Sequence, residues 1–131
     1  MKPILSLFGV LAAALALTAC AAGPSTNTYV HAAGDTSFTG WVQFANEEFQ
    51  LYGDEDQVRQ PFSRPCVSGV ASRDEMRQAV GDLNGAKVTI TGRTAPWSQA
   101  ANSRIEYAGS LIRNECRGEF VILADDIRPA N

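Results

Sequence analysis

Residues 72–93 read SRDEMRQAVGDLNGAKVTITGR and carry the signal of a short helix that leads directly into a strand. Ser72 and Glu75 have the spacing of a capping box, in which the hydroxyl accepts from the Glu75 amide and the carboxylate reaches back. Apolar residues then recur with helical spacing, as one stripe, at Met76, Ala79, Val80 and Leu83. Because Asn84-Gly85 supplies the left-handed residue that ends a helix, the segment predicts an α-helix over residues 73–83.

Stretches with strand character lie on both sides of this helix. Val88, Ile90 and Gly92 alternate with polar residues, which is the period of a half-buried strand. Period-two or apolar runs also occupy 36–44, 49–52, 61–70, 104–112 and 120–127. The run at 61–70 is bent by two prolines, and Gly109 interrupts the alternation of 104–112, where a β-bulge is predicted.

Three strands, one helix and further strands is the order of an oligonucleotide/oligosaccharide-binding (OB) barrel. Residues 83–93 are similar to the segment from the helix to the fourth strand in small bacterial OB-like domains, and residues 120–127 resemble the last strand of those domains. The resemblance spans residues 36–128 and implies a mainly β protein, a small antiparallel OB-like barrel with one short helix. Because 104–112 adds a strand inside the loop between strands four and five, a different small antiparallel barrel stays open, including the compact lipoprotein barrels that inhibit host lysozymes.

The N-terminal residues resemble a bacterial lipoprotein signal. Met1 and Lys2 are followed by an uncharged apolar run, residues 4–17, which is too short to span a hydrocarbon core of ~30 Å as a stable helix. Leu17-Thr18-Ala19-Cys20 resembles a lipobox. The resemblance implies cleavage before Cys20 and lipid on its thiol and new amino group, and Ala21 in place of Asp implies the outer membrane. The alternative is an ordinary signal peptide with a cysteine there by chance.

This interpretation divides the chain into three parts: a lipoprotein signal peptide (1–19), a lipid-anchored flexible tether (20–35) and a single barrel domain (36–131). The tether is predicted from its Ala, Gly, Pro, Ser and Thr content. His31, which is the one histidine of the sequence, falls in the tether and is predicted to be solvated rather than a ligand or a catalyst. We expect the domain to lie on the periplasmic face of the outer membrane.

Charge argues against nucleic-acid binding. Residues 1–19 contain one charged side chain, Lys2, so that removing them leaves 10 basic and 14 acidic residues and a net charge of −4. Neutralising phosphates needs an excess of Lys and Arg. The expected partners are therefore the membrane, through Cys20, and an envelope protein or glycan.

If Cys20 carries lipid, Cys66 and Cys116 remain as an even pair in an oxidising compartment, where a disulfide is expected. A metal pair or a reactive thiol are the alternatives, and two cysteines without a nearby histidine make a poor zinc site.

The acidic run 53–56 lacks the spaced oxygen ligands of a calcium loop and is interpreted as a solvated turn. No metal and no cofactor are predicted.

An OB barrel would present a binding face made by its second and third strands and the neighbouring loops. The residues there that could stack on a sugar or a base, or pair with an anion, are Trp41, Tyr52, Arg93, Trp97 and Arg104. In the alternative that we favour from sequence, Trp41 fills the open end of the barrel and the arginines pair with carboxylates.

The sequence shows no Gly-x-Ser-x-Gly motif and no phosphate-binding loop, and Asp125 and Asp126 are neighbours that would point to opposite faces of a strand. We therefore expect no catalytic residue and a non-catalytic, lipid-anchored envelope binding or accessory module. The first alternative is an inhibitor of a host or envelope hydrolase that inserts a loop such as 94–103 into its target. A small hydrolase with carboxylates that converge from distant positions is a third.

Overall fold

The computed structural model describes residues 31–131. The predicted signal peptide, the predicted lipidation site Cys20 and the tether up to residue 30 lie outside the described residues. Within residues 31–131, we find no helix that is both long enough and apolar enough to cross a membrane.

The described chain forms seven strands, one α-helix and two short 3₁₀ helices. The strands are β1 (Ser37–Ala45), β2 (Glu48–Tyr52), β3 (Cys66–Val70), β4 (Lys87–Pro96), β5 (Ile105–Tyr107), β6 (Ser110–Ile112) and β7 (Phe120–Pro129). The helix is α1 (Arg73–Leu83), and the 3₁₀ helices are Glu55–Arg59 and Trp97–Gln99.

Five strands close into a barrel in the order β1-β2-β3-β7-β4, and β4 pairs back onto β1. Every pair is antiparallel except β3 with β7, which is parallel. Helix α1 connects the third and fourth barrel strands, as in an OB fold. The predicted fold class is therefore confirmed: the protein is mainly β, a small OB-like barrel with one short helix.

The alternation predicted for the first strand is confirmed by burial. Phe38 and Val42 are fully buried inside the barrel, where Val42 lies opposite Leu51 of β2. Gly69 of β3 lies opposite Phe49, and a Cβ at this position would lie 2.5 Å from the Phe49 ring and 2.6 Å from the Ile122 carbonyl oxygen. The glycine thus leaves the room that the Phe49 ring needs in the core.

Helix α1 has the predicted bounds, but its contacts differ from the prediction in two respects. Ser72 Oγ accepts from the Glu75 amide (3.2 Å), whereas the Glu75 carboxylate accepts from the Ile127 amide (3.1 Å) and ties the helix to β7. The second half of the predicted capping box is therefore wrong. Val80 was also expected in the core stripe, but it is 46% exposed, while Met76 and Ala79 are buried.

The predicted strand 104–112 is a hairpin, β5–β6, that forms its own two-stranded sheet outside the barrel. The predicted bulge is a two-residue turn in which Ala108 (φ 49°) and Gly109 (φ 85°) are both left-handed. The tip of the hairpin is fixed to the start of α1, because the Arg73 amide donates to the Ala108 carbonyl (3.1 Å) and Arg73 Nε donates to the Gly109 carbonyl (3.3 Å).

Residues 31–35, the described end of the predicted tether, lie against the barrel. The Thr39 amide donates to His31 Nε2 (3.1 Å), and the His31 ring meets Phe38 edge to face at 5.3 Å. The Gly34 amide donates to Thr94 Oγ1 (2.9 Å). His31 is consequently half-buried rather than solvated, and the chain enters the barrel at a fixed point beside the start of β1.

Candidate functional site

The outer face of β2 and β3, where an OB fold binds its ligands, is covered by the protein itself. Its outward residues are all buried: Glu48, Gln50, Tyr52, Cys66 and Ser68. Most of the cover consists of residues 110–118, which include β6 and the turn after it, and which we call the covering segment. Val58 and Phe62 complete the cover over Tyr52. This face is therefore closed to a ligand in the described structure.

A buried carboxylate holds the covering segment in place. Glu48 is fully buried, and its Oε1 accepts from the amides of Arg113 (2.8 Å) and Asn114 (2.9 Å), while Oε2 accepts from the amide of Glu115 (3.0 Å). Gln50 Nε2 donates to Oε2 as well (3.0 Å). Hydrogen bonds to an ionised acceptor are about twice as strong as neutral ones. The role of the Glu48 carboxylate is therefore structural, because it fastens residues 113–115 to β2.

A covalent bond holds the same segment. Cys66 and Cys116 form the predicted disulfide, with their Cα atoms 5.4 Å apart. The Cys116 amide also donates to Ser68 Oγ (3.0 Å). The connection between β4 and β7 is thus fastened to the outer face of β3 by a covalent bond and by a hydrogen bond.

Tyr52 is a structural residue as well. Its hydroxyl accepts from the Phe62 amide (3.2 Å) and donates to Gln43 Oε1 (3.3 Å). Burial raises the pKa of Tyr52, the bond from Phe62 opposes that shift, and the nearby charge of Glu48 adds to it. A side chain with 0% exposure cannot contact a ligand on this face.

The other four predicted binding residues have separate surroundings. Trp41 lies on the outer face of β1 with Lys87 Nζ 5.0 Å from its ring centroid. Trp97 is half-buried against the core and lines a small pocket near Arg117. Arg93 lies over the Tyr107 ring at 5.9 Å, and Arg104 lines a larger cleft.

The five residues therefore do not form one exposed face. The alternative that we favoured from sequence is also wrong for Trp41, because this side chain lies outside the barrel rather than in its open end. Among residues 31–131, neither Arg93 nor Arg104 forms an ion pair with a carboxylate.

A lateral cleft of about 1160 Å³ lies between three elements. Helix α1 forms one wall, the turn between β1 and β2 forms the second, and the β5–β6 hairpin forms the third. The apolar lining consists mainly of Phe44, Met76, Val80, Tyr107 and Leu111, and the charged lining consists of Glu47, Glu48, Arg73, Arg77, Arg104 and Glu106. Its volume is slightly above the range of about 300–1,000 Å³ that is typical of small-molecule pockets.

Of the five binding residues predicted from the sequence, Arg104 lines this cleft, although it was expected on the face of β2 and β3. One further residue of the cleft could have been suspected from the sequence. Val80 completes the apolar stripe of a short helix that already has enough other apolar residues to bury. In the structure Val80 is the one large apolar side chain that is exposed among residues 31–131. It lies in the lining of the cleft.

The acidic side chains do not converge elsewhere. Within residues 31–131, no three His, Cys, Asp or Glu side chains are grouped so that they could hold a metal ion. Asp125 accepts from the Tyr107 hydroxyl (3.4 Å), whereas Asp126 pairs with Arg128. The two neighbouring aspartates therefore serve different partners.

These observations define the protein as an OB-like barrel whose usual binding face is covered and which has a lateral cleft beside the helix. Comparisons of the chain with protein-family models, with curated proteins and with solved structures each found no match.

Proposed function

We propose that the protein is a lipid-anchored, non-catalytic binding module of the cell envelope, and that it binds its ligand in the lateral cleft. The observation that carries the proposal is the cleft itself, which combines an exposed apolar side chain, Val80, with a charged rim. Ligand sites are concave, largely apolar and equipped with a few polar groups that fix orientation.

The carboxylates of the cleft support a binding role rather than a catalytic one. Glu48 is fully buried and occupied by three backbone amides and a side-chain amide. Glu47 pairs with Arg113 at 3.5 Å. Glu106 is the carboxylate that remains, and one carboxylate does not make the acid–base pair of a hydrolase.

The position of the chain entry suits an anchored module. Residues 31–35 are fixed beside Thr39, near the start of β1, whereas the cleft lies at the other end of that strand, at Phe44 and Ala45. At ~3.3 Å per residue the two points are about 20 Å apart along β1. A lipid at Cys20 would therefore leave the cleft accessible from the side away from the attachment point.

Site-specific photo-cross-linking in growing cells tests the binding site. We expect that the photoreactive residue benzoylphenylalanine, placed at position 80 of the full chain, gives a discrete cross-linked adduct. The matched control is the same residue at position 78, because Gln78 is exposed on the same helix but does not line the cleft. Equal labelling from both positions, or none from position 80, would contradict the proposal.

The same experiment separates the inhibitor alternative. The loop that an inhibitor was expected to insert, 94–103, begins within β4, and Ser98 and Gln99 are exposed beyond the end of that strand. A photoreactive residue at Gln99 should remain unlabelled if the cleft is the binding site. A stoichiometric adduct with a hydrolase from position 99, and none from position 80, would favour the inhibitor.

The anchor has its own test. In the wild-type protein, labelled palmitate should enter the chain and the protein should sediment with the outer membrane. Replacement of Cys20 with Ser should abolish the label and move the protein to the soluble envelope fraction, because the acyl chains supply the binding energy at ~0.8 kcal/mol per buried methylene. A Cys20→Ser protein that stays in the membrane would contradict the lipid anchor.

A further inference from the structure

We propose that the occupant of the lateral cleft is a polypeptide segment in extended conformation that carries an aliphatic side chain next to a carboxylate. This inference rests on the cleft being the binding site and names the chemistry of its ligand. Three features of the lining lead to it: uncompensated arginines, an aliphatic surface and an unpaired strand edge.

The charges of the cleft favour an anionic group. Glu48 and Glu47 are already matched by the covering segment and by Arg113. Arg104 is exposed, and neither Arg104 nor Arg73 has an ion-pair partner among residues 31–131. The Arg73 side chain donates to the main-chain oxygen of Gly109. Arg77 is occupied by Asp74 at 2.6 Å.

Two arginines without a carboxylate partner therefore face one free carboxylate, Glu106. The lining carries three arginines and three glutamates in all, so the cleft has a surplus of unpaired guanidinium groups rather than a net positive charge. Because guanidinium groups bind carboxylates in a planar, two-pronged geometry, the missing partner is best supplied by a carboxylate of the ligand.

The apolar part of the lining fits an aliphatic side chain. Val80, half-exposed, lies in the lining together with Met76, Phe44 and Leu111. Methionine and branched aliphatic side chains form an adaptable surface that receives Leu, Ile or Val. Covering Val80 removes from water the one large apolar side chain that the described fold leaves exposed.

The hairpin offers main-chain groups to an extended segment. Tyr107 and Ser110 flank the two-residue turn, and in such a hairpin the flanking pair exchanges both of its hydrogen bonds. Hydrogen-bonded and non-bonded pairs alternate along an antiparallel ladder, and the next pair is Glu106 with Leu111. The N–H and C=O of Glu106 therefore point away from β6. The amide and carbonyl of Arg104 are taken by Ala101, at 3.2 and 3.0 Å, so Glu106 is the residue that can pair with an added strand.

The same lining disfavours a glycan. Sugars stack on the open face of an aromatic ring, but Arg93 lies over Tyr107 at 5.9 Å and the Tyr107 hydroxyl is bonded to Asp125. The two tryptophans do not line the cleft. Phe44 is half-buried and packs edge to face against Phe49.

Peptide selection on the full-length chain, held in detergent, tests the inference. The probe is a displayed library of random heptapeptides in two formats, one with a free carboxyl terminus and one in which the terminus is blocked by fusion. We expect the selected peptides to share Leu, Ile or Val next to Asp or Glu. Enrichment in the free-terminus format alone would show that the bound carboxylate is the C-terminal one. Enrichment in both formats would show that it belongs to an Asp or Glu side chain.

Charge reversal at Arg104 supplies the decisive comparison. Arg104→Glu should weaken the best acidic peptide at least about tenfold and should select Lys or Arg in place of Asp or Glu. The matched control is Arg64→Glu, because Arg64 is also exposed but does not line the cleft, and it should change neither quantity. N-methylation of the peptide residue that pairs with Glu106 should weaken binding about tenfold, since one main-chain bond is lost.

An acidic preference that survives Arg104→Glu would overturn the inference, and so would a selection that enriches no peptide. In the second case the cross-linking result decides what else fails. If position 80 still gives an adduct, and its added mass stays on the chain's own peptide after proteolysis but is removed by a glycosidase, the cleft binds a glycan and the binding function stands. If position 80 gives no adduct either, both proposals fall together.

Discussion

The Glu48→Gln protein should lose about 3 kcal/mol of unfolding free energy, the cost of breaking a buried charged network. The amide nitrogen of the new side chain would face backbone N–H groups that now donate to a carboxylate at 2.8–3.0 Å. Three backbone amides would then share a single acceptor oxygen. Urea unfolding should show a lower midpoint, and the melting temperature should fall by roughly 15 °C for a domain of this size.

The neighbouring position supplies the control. Glu47 is exposed and makes a surface ion pair with Arg113 at 3.5 Å, so Glu47→Gln should change stability by no more than about 0.5 kcal/mol. Amide hydrogen exchange adds a local measurement. In Glu48→Gln the amides of residues 113–115 should exchange faster than those of β7, and equal stability of the two variants would show that Glu48 does not hold the covering segment.

The barrel could be predicted because its signals are local. The bounds of the helix follow from Ser72 and Gly85, and the strand alternation that buries Phe38 and Val42 is visible within nine residues of sequence. The disulfide followed from counting cysteines once Cys20 was set aside. Each of these inferences uses neighbours in the chain or a simple count.

The covering segment could not be predicted, because its contacts join residues that lie far apart in the chain. Glu48 looks like an ordinary polar residue beside a turn, and its partners lie 65 to 67 positions later. The hairpin was hidden for a different reason. The residues expected in its turn are Asn, Asp or Gly, whereas Ala108 adopts a left-handed conformation there.

The lateral cleft could not be predicted either from local sequence patterns or from the count of cysteines. OB folds bind on strands two and three, and this expectation gathered Tyr52 and Trp41 into a face that the protein fills with its own chain. Once the covering segment occupies that face, the hairpin that precedes the segment stands beside α1. The lateral cleft is a consequence of this arrangement, so no local pattern in the sequence encodes it.

Removal of the disulfide should have the larger effect of the two structural changes. The bond closes a loop of 50 residues, for which the chain-entropy model gives roughly 4 kcal/mol. Replacing Cys66 and Cys116 together with Ala avoids a buried unpaired thiol. The urea midpoint should fall further than in Glu48→Gln, and a midpoint equal to that of the wild type would show that the bond does not stabilise the fold.

The two changes should also be coupled, because Glu48 and Cys66 fasten the same segment at adjacent residues, 113–115 and 116. Once the disulfide is absent, the covering segment is already loosened, so that Glu48→Gln costs less. The unfolding free energy lost in the combined variant should be smaller than the sum of the two separate losses by about 0.5 kcal/mol or more. This value is about the smallest coupling seen between residues in contact. The Tyr52 ring reports the structural result, since it packs against Cys116 of the covering segment, whereas its hydroxyl is held by Phe62. If both fastenings are removed and Tyr52 becomes accessible to solvent while β7 stays protected from exchange, the barrel survives without its cover. A strictly additive loss would instead mean that the disulfide and the carboxylate stabilise separate parts of the fold.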